Sequence, residues 1–178
     1  LEDLPRRNID TGAGLERLLA VMAGERSVFE TDVLRRLVAA AESLTGRTYG
    51  ADEKVDISLR ILAEHGRAMT FLVSDGVMPS NEGRGYVLRR IIRRAVQQAQ
   101  AIGLGDLWRI TDVVADQMGA AYPELGEHRE HIQQVVRAEE ERFSETLARG
   151  LKLFEDIAAK GEIAGRDAFE LATTYGFP

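Results

Sequence analysis

Hydrophobic positions recur at helical spacing along most of the 178-residue chain. Apolar side chains three and four residues apart form one face of a helix, so this pattern predicts an all-α fold. Glycines, prolines and polar capping residues set the predicted ends of the helices. The pattern predicts six of them after residue 25, over residues 28–44, 56–73, 80–101, 107–118, 127–159 and 165–173.

The segment 127–159 is the longest of these predicted helices. Its apolar side chains continue along one stripe, formed by Ile132, Val135, Val136, Phe143, Leu147, Leu151, Phe154 and Ile157. This stripe predicts a long amphipathic helix. Because the segment exceeds the usual length of a globular helix, we expect it to brace two parts of the structure; a solvated coiled-coil arm is the alternative.

A glycine-containing turn lies near the start of the chain. The apolar Ile9 comes before it and helically spaced leucines follow it, so we expect a strand, a turn and a helix across residues 9–22. Gly12 and Gly14 would let the backbone approach a nucleotide, whose phosphates Arg17 could reach. An ordinary tight turn is the alternative interpretation.

The composition is that of a globular protein, with 44% hydrophobic and 29% charged residues. The chain has no cysteine, which removes disulfides and thiolate metal sites. The apolar runs are too short to cross a bilayer and the first residues are charged, so we expect a cytoplasmic protein without a membrane partner. We expect no metal site, and expect the three histidines to lie at the surface: His65, His128 and His131.

Charge is distributed unevenly along this acidic chain. The formal net charge is −6, whereas residues 77–110 contain six arginines against Glu82 and Asp106, a local charge of +4. A local positive field of this kind attracts phosphate even when the rest of the surface repels it. Arginine also favours planar, bidentate contacts to phosphate. The segment is therefore a candidate nucleic-acid interface.

The predicted helix 80–101 has two faces. One face is predicted to pack, through Leu88, Ile91, Ile92, Ala95, Val96 and Ala99. The other is predicted to point outward, and it carries Tyr86, Arg89, Arg90, Arg93, Arg94 and Gln97. An alternative is that these arginines pair with acidic neighbours such as residues 139–141.

The loop before this helix offers groups that could contact a base. Gly83 and Gly85 flank Arg84 and would leave room for a bulky partner, while the amide of Asn81 can donate and accept hydrogen bonds. An RNA helix presents its base edges in a wide, shallow minor groove that an amide can reach. A capping turn, with Ser80 or Asn81 as the helix N-cap, is the structural alternative.

Several stretches together resemble the alanyl-tRNA synthetases, a family of class II aminoacyl-tRNA synthetases. Residues 8–18 resemble motif 3 of that class, and the stretch Ser-Asn-Glu-Gly-Arg-Gly-Tyr-Val-Leu-Arg-Arg at 80–90 is the most specific match. The resemblance continues in order through residues 29–32, 71–94, 139–147 and 174–178 and covers essentially the whole chain.

The resemblance implies a two-step reaction of the full-length enzyme, in which alanine and ATP, with Mg²⁺, form alanyl adenylate before the alanyl group passes to tRNA(Ala). Asp10 would hold the amino group of alanine, Gly12 and Gly14 would border the substrates, and Arg17 would contact the phosphates of ATP. Motifs 1 and 2 are not found in the sequence, so this chain alone is expected to be inactive and to bind no cofactor.

The resemblance also implies a tRNA-recognition domain that binds a G·U wobble pair in the acceptor stem. Asn81 would contact the pair in the minor groove, while Tyr86 and the arginines would hold the backbone or neighbouring pairs: Arg84, Arg89, Arg90, Arg93 and Arg94. About half of these arginines are expected to contact RNA directly, and the others to brace the long acidic helix. Thr173 stands where the family has an aspartate that approaches the same pair from the other groove.

These implications divide the chain into a motif 3 remnant of the catalytic domain, residues 1–24, and a helical tRNA-recognition domain, residues 25–178. The expected partners are the acceptor stem of tRNA(Ala) and the rest of the same polypeptide, with its class II catalytic core, editing and C-terminal domains. Two alternatives stay open, a non-catalytic helical nucleic-acid-binding module and a helical protein-interaction domain.

Overall fold

The structure, a computed structural model, describes residues 11–159, 161 and 163–174, with side chains through Leu171. Every regular element in these ranges is helical, which confirms the all-α prediction for this part of the chain. The predicted strand before Gly12 lies outside the described residues. A short 3-10 helix at Val28–Glu30 precedes α2, and the α-helices are α1 (Leu15–Ala23), α2 (Asp32–Thr45), α3 (Glu53–Ser74), α4 (Gly83–Ala101), α5 (Arg109–Met118), α6 (Glu124–Glu127), α7 (Arg129–Ala158) and α8 (Gly165–Thr174).

Local capping explains where the helix ends differ from the predicted ones. α3 begins three residues earlier than predicted, because the side chain of Asp52 accepts hydrogen bonds from the backbone N–H groups of Lys54 and Val55. The predicted helix 28–44 is divided, and its first turn is the 3-10 helix. Its far end is as predicted: Gly46 follows α2 with φ +66°, a left-handed conformation that suits glycine.

Helix α3 lies at the centre of the fold and contacts α2, α4, α5 and α7. Leu59, Leu62 and Met69 on α3 are completely buried. Gly66 is a point of close approach, since a Cβ there would overlap the side chain of Ile110 on α5. Glycine at this position therefore lets α3 and α5 pack closely.

Helix α4 packs against both α3 and α7. Five of the six positions predicted to pack are buried, namely Leu88, Ile92, Ala95, Val96 and Ala99, and Ile91 is partly buried. On α7 the stripe is buried through Phe143, but Leu151 is 46% exposed. The first half of α7 therefore belongs to the core that supports α4.

Helix α1 lies at the edge of this core. Its buried residue is Ala20, and an ion pair of 2.5 Å joins Glu16 to Arg67 on α3. Several of its apolar side chains remain more than half exposed: Leu15, Leu18, Val21 and Met22. Most of the apolar face of α1 is thus not packed against the described residues.

Candidate nucleic-acid interface

The loop at residues 77–82 lies against the first turn of α4. Gly85 is buried, and a Cβ there would overlap the carbonyl oxygen of Met78 and the hydroxyl of Ser80. The Ser80 hydroxyl donates a 2.8 Å hydrogen bond to the carbonyl of Glu82, which is the N-cap residue of α4. This loop places Asn81 at the exposed N-terminal end of α4.

The structure corrects one alternative and one expectation for this loop. Ser80 and Asn81 are not the N-cap of α4, because the helix begins at Gly83, whose φ of +57° lets the chain turn into the helix. The space at Gly85 is also occupied by the chain's own loop, so it leaves no room for a partner there.

The arginines of α4 fall into two groups. Arg84, Arg90 and Arg94 are exposed and make no ion pair with the described residues. Arg89 and Arg93 instead point at α7, where their Nε atoms lie 3.3 and 2.8 Å from one carboxylate oxygen of Glu139. The predicted outward face is therefore only partly outward.

The cause of this division is the burial of Glu139. Its side chain is 1% exposed, and a carboxylate buried to this extent requires positive partners. Arg89 and Arg93 keep 19% and 30% of their side chains exposed. The pairing with the acidic segment, given above as an alternative, thus holds for these two arginines, and the other three stay available.

Asn81 is connected to this buried carboxylate. Nη1 of Arg89 donates a hydrogen bond to Oδ1 of Asn81, eight residues earlier in the chain. Because a guanidinium can only donate, the amide oxygen must face Arg89, and the amide nitrogen is left for another partner. The exposed amide therefore has a defined orientation.

A groove of about 440 Å³ runs along α4, and its walls contain both arginines and apolar side chains. The guanidinium of Arg93 lies 5.2 Å from the centre of the Phe143 ring, and that of Arg90 lies 5.8 Å from the centre of the Tyr86 ring. Tyr86 is 46% exposed, so its ring is available for stacking. The residues lining the groove are His65, Val87, Arg90, Ile91, Arg93, Arg94, Gln97 and Phe143.

His65 differs from its predicted surface position. It is half-buried in the wall of this groove, and burial is the main cause that lowers the pKa of its imidazole below the ordinary value. The neighbouring charge of Arg94 lowers this pKa further, against an opposite effect of Glu64. His65 is therefore mainly neutral at pH 7. His128 and His131 are exposed, as expected.

Glu140, the neighbour of Glu139, has a separate structural role. Its Oε1 accepts a 2.9 Å hydrogen bond from the backbone N–H of Leu107, just before α5. Burial raises the pKa of the Glu140 carboxyl above its ordinary value, against the opposing effect of the backbone hydrogen bonds. Glu140 therefore anchors the α4–α5 connection and does not contact Arg89.

The buried position of Glu139 could have been found from the sequence. Residues 132, 136, 139 and 143 follow the spacing of one helix face, and the other three are Ile, Val and Phe. A carboxylate on that stripe is expected to be buried beside a cationic partner, and arginines recur at helical spacing at positions 89 and 93. The helical spacing of the α7 stripe and of the two arginines could therefore have indicated a buried ion pair.

The residues expected to bind ATP and alanine lie near the start of the chain, before α1 and in its first turn. Gly12 and Gly14 are exposed just before α1, and Arg17 is exposed in the first turn of that helix. Arg17 makes no ion pair with the described residues. Asp10 lies outside the described residues, and Thr173 belongs to α8 with its side chain outside the description.

The described residues provide neither a metal-ion cluster nor a membrane-spanning helix. They contain no group of three or more His, Cys, Asp or Glu side chains placed to hold a metal ion. No helix formed by them is long and apolar enough to span a bilayer.

Comparison with known proteins identifies the family. Residues 1–178 match the model of a family described as tRNA synthetases class II (A). The alanine–tRNA ligase of Thermotoga petrophila is 51% identical over 100% of this chain and 21% of its own length. Those of Acidithiobacillus ferridurans and Fusobacterium nucleatum are 48% and 46% identical over 100% of this chain, and over 21% and 22% of theirs.

This chain thus spans about a fifth of the length of these curated relatives. The matches extend over the glycine-containing turn, the arginine-rich helix α4 and the other stretches on which the resemblance was based. That resemblance is confirmed, and the chain belongs to the class II (A) family of tRNA synthetases.

Proposed function

We propose that this chain is part of a cytoplasmic alanine–tRNA ligase and that its described helices bind the acceptor stem of tRNA(Ala). The family and the three ligases at 46–51% identity support the parent activity. Residues 25–178 would form the tRNA-recognition domain, and residues 1–24 would belong to the catalytic domain. The remaining partners are the catalytic core, editing and C-terminal domains of the same polypeptide.

The observation that supports RNA binding most directly is a set of exposed cations on α4. Arg84, Arg90 and Arg94 are exposed without an acidic partner among the described residues, on a chain whose net charge is −6. Surface arginines without partners are suited to phosphate, and phosphate contacts fix the register of a protein on a nucleic acid. Tyr86 adds an exposed aromatic ring beside Arg90.

Asn81 is the group that would select the base pair. In the minor groove a guanine offers its 2-amino group as a donor, and a pyrimidine offers O2 as an acceptor. The Asn81 nitrogen can donate to O2, and Oδ1 has a second lone pair for the amino group in addition to the one used by Arg89. Arg89 and Arg93 would hold the Asn81 side chain in place for this contact. Thr173 would approach the base pair from its other groove.

The glycine-containing turn would serve the first step of the reaction. Asp10 would hold the amino group of alanine, Gly12 and Gly14 would border the substrates, and Arg17 would contact the phosphates of ATP. The guanidinium of Arg17 is exposed and forms no ion pair with the described residues, which fits an anionic ligand. Mg²⁺ would neutralise phosphate charge when bound; we assign no ligand for it among the described residues.

A comparison of two RNA minihelices tests this function. Minihelices with a G·U or a G·C pair at the recognition position are titrated with the chain at several salt concentrations. We expect tighter binding of the wobble stem and a strong decrease of affinity with salt. Asn81→Ala should remove about 1 to 3 kcal/mol of the preference for G·U, with a smaller effect on the G·C stem.

The matched control is Gln100→Ala, which removes an exposed amide from the opposite end of the same helix. It should leave the preference unchanged. Equal losses on both stems for Asn81→Ala would reject Asn81 as the selecting residue. No binding to either stem at low salt would favour a helical protein-interaction domain instead.

A further inference from the structure

We propose that Glu139 is a positioning residue for base-pair selection, which fixes the amide of Asn81 through Arg89. The inference rests on the proposed function of Asn81. It concerns a residue that is buried in α7, has no access to RNA, and would act through two intermediate contacts.

Glu139 is held in place by burial and by Arg93. Its side chain is 1% exposed and lies in a stripe with the buried Val135, Val136 and Phe143. Arg93 donates a 2.8 Å hydrogen bond to Oε1, and its guanidinium also lies over the Phe143 ring. The position of Oε1 is therefore set by the core and by Arg93.

Arg89 transmits this position to the loop. Its Nε lies 3.3 Å from the same Oε1 of Glu139, and its Nη1 donates to Oδ1 of Asn81. The Arg89 side chain is 19% exposed, so little space is left for other orientations. With Nε beside this carboxylate as an ion pair, Nη1 faces the loop, and its hydrogen bond to Oδ1 determines where the amide oxygen points.

The consequence for binding is a restrained amide in the absence of RNA. An exposed asparagine otherwise occupies several rotamers, and binding must then immobilise it at a cost in free energy. Here the oxygen already faces Arg89 and the nitrogen faces outward. The Asn81 side chain is therefore ordered during folding and not on binding. The RNA stem whose base pair fits this orientation of the amide is favoured.

Glu139 also holds two arginines away from the RNA. Its negative charge engages Arg89 and Arg93, so these two contribute less to the field that attracts phosphate than the unpaired Arg84, Arg90 and Arg94. Removal of this charge should release both guanidiniums. Loss of the Glu139 charge should therefore increase the affinity for both RNA stems and at the same time decrease the preference for G·U over G·C.

The test is Glu139→Gln in the 178-residue chain, with Glu140→Gln as the matched control. Both replace a buried α7 glutamate by its amide, but Glu140 contacts the backbone of Leu107 instead of Arg89. For Glu139→Gln we expect the G·U over G·C preference to fall about threefold to tenfold, the range for immobilising one side chain. Affinity for the G·C stem should rise. Glu140→Gln should change neither quantity.

The double variant Asn81→Ala/Glu139→Gln separates positioning from general damage. If Glu139 acts through Asn81, the double variant has the same preference as Asn81→Ala alone. Additive losses of preference, or equal weakening of both stems by Glu139→Gln, would overturn the proposal.

A measurement without RNA distinguishes this proposal from the proposed function. The chain has two asparagines, Asn8 and Asn81, so selective ¹⁵N-asparagine labelling gives two pairs of side-chain amide signals. We expect one pair to be restrained in the parent chain and to become motionally averaged in Glu139→Gln but not in Glu140→Gln. If the amide signals change in this way but the chain binds no RNA, the RNA function is rejected, while the role of Glu139 in orienting Asn81 is retained. Unchanged signals would overturn the role of Glu139 whatever the RNA data show.

Discussion

Nε of Arg93 donates a 2.8 Å hydrogen bond to Oε1 of Glu139 and so joins α4 to α7 through a carboxylate that is 1% exposed. The next residue, Arg94, is exposed and forms no ion pair with the described residues. Two adjacent arginines of α4 thus have different surroundings. Mutations of the two should separate folding from RNA binding.

Loss of the Arg93 side chain should destabilise the fold. Arg93→Ala leaves a buried carboxylate with one cationic partner fewer and removes the contact with Phe143, so we expect the free energy of unfolding to fall by about 1 to 3 kcal/mol. Arg94→Ala is the control and should stay within about 0.5 kcal/mol of the parent chain. Urea unfolding followed by circular dichroism measures both. Equal stability of the two variants would show that the buried pair contributes nothing.

Loss of the Arg94 side chain should weaken RNA binding without affecting selectivity. If this guanidinium contacts phosphate, Arg94→Ala lowers the affinity for G·U and G·C stems by the same factor and reduces the slope of log affinity against log salt by about 1. Arg36→Ala removes the same charge from an exposed site on α2. Titration of both variants at several salt concentrations provides the comparison. A slope that falls equally for Arg36→Ala would indicate only an effect of net charge.

Most of the helical architecture could be predicted from the spacing of apolar residues. The predicted helices after Ser80 correspond to α4, α5, α7 and α8 within a few residues at each end. The errors occur where local hydrogen bonds decide the outcome. Asp52 extends α3 backward, and the four-residue α6 between Pro123 and His128 has too few apolar positions to produce a periodic signal.

The candidate interface was predicted less completely than the fold. The packed face of α4 was predicted correctly, but the separation of the opposite face into paired and unpaired arginines depends on which α7 residue lies next to it. That contact joins residues 46 positions apart, and helical periodicity carries no information about the packing of two helices at this separation. The half-buried position of His65 in the groove has the same origin, since α3 and α4 form its walls together.

A methyl group at Gly85 should disturb the loop that holds Asn81. The Cβ of Gly85→Ala would overlap the Met78 carbonyl and the Ser80 hydroxyl, so the loop must move. We expect a loss of stability of about 1 to 3 kcal/mol and a reduced preference for the G·U stem. Gly126→Ala, at a helical site with open space around it, should be neutral or slightly stabilising. Urea unfolding and minihelix titration test this pair; unchanged selectivity in Gly85→Ala would contradict the role of the loop.

The buried carboxyl of Glu140 should make stability depend on pH. Burial raises its pKa in the folded chain above the ordinary value of 4.5, so the folded state binds more protons than the unfolded state between the two pKa values. Stability from this group therefore decreases as pH rises through that window. Glu140→Gln keeps an acceptor for the Leu107 N–H without the charge, and it should gain stability relative to the parent chain between pH 4.5 and pH 7.

Unfolding of the parent chain and of Glu140→Gln at each pH measures this difference. The difference isolates Glu140 from carboxyls whose pKa is lowered, such as Glu16 beside Arg67, because both chains share them. A variant that becomes relatively less stable toward pH 7 would mean that the Glu140 charge stabilises the fold.

The exposed apolar side of α1 has a consequence for cooperativity. A nine-residue helix gains little from its own hydrogen bonds, and within the described residues α1 is held by its contacts with the 3-10 helix Val28–Glu30, by Ala20 and by the Glu16–Arg67 pair. Its amide protons should exchange with solvent by fraying, long before those of α3 and α4 exchange by global opening. Heating would release the glycine-containing end of the chain first and leave the arginine-bearing helices folded.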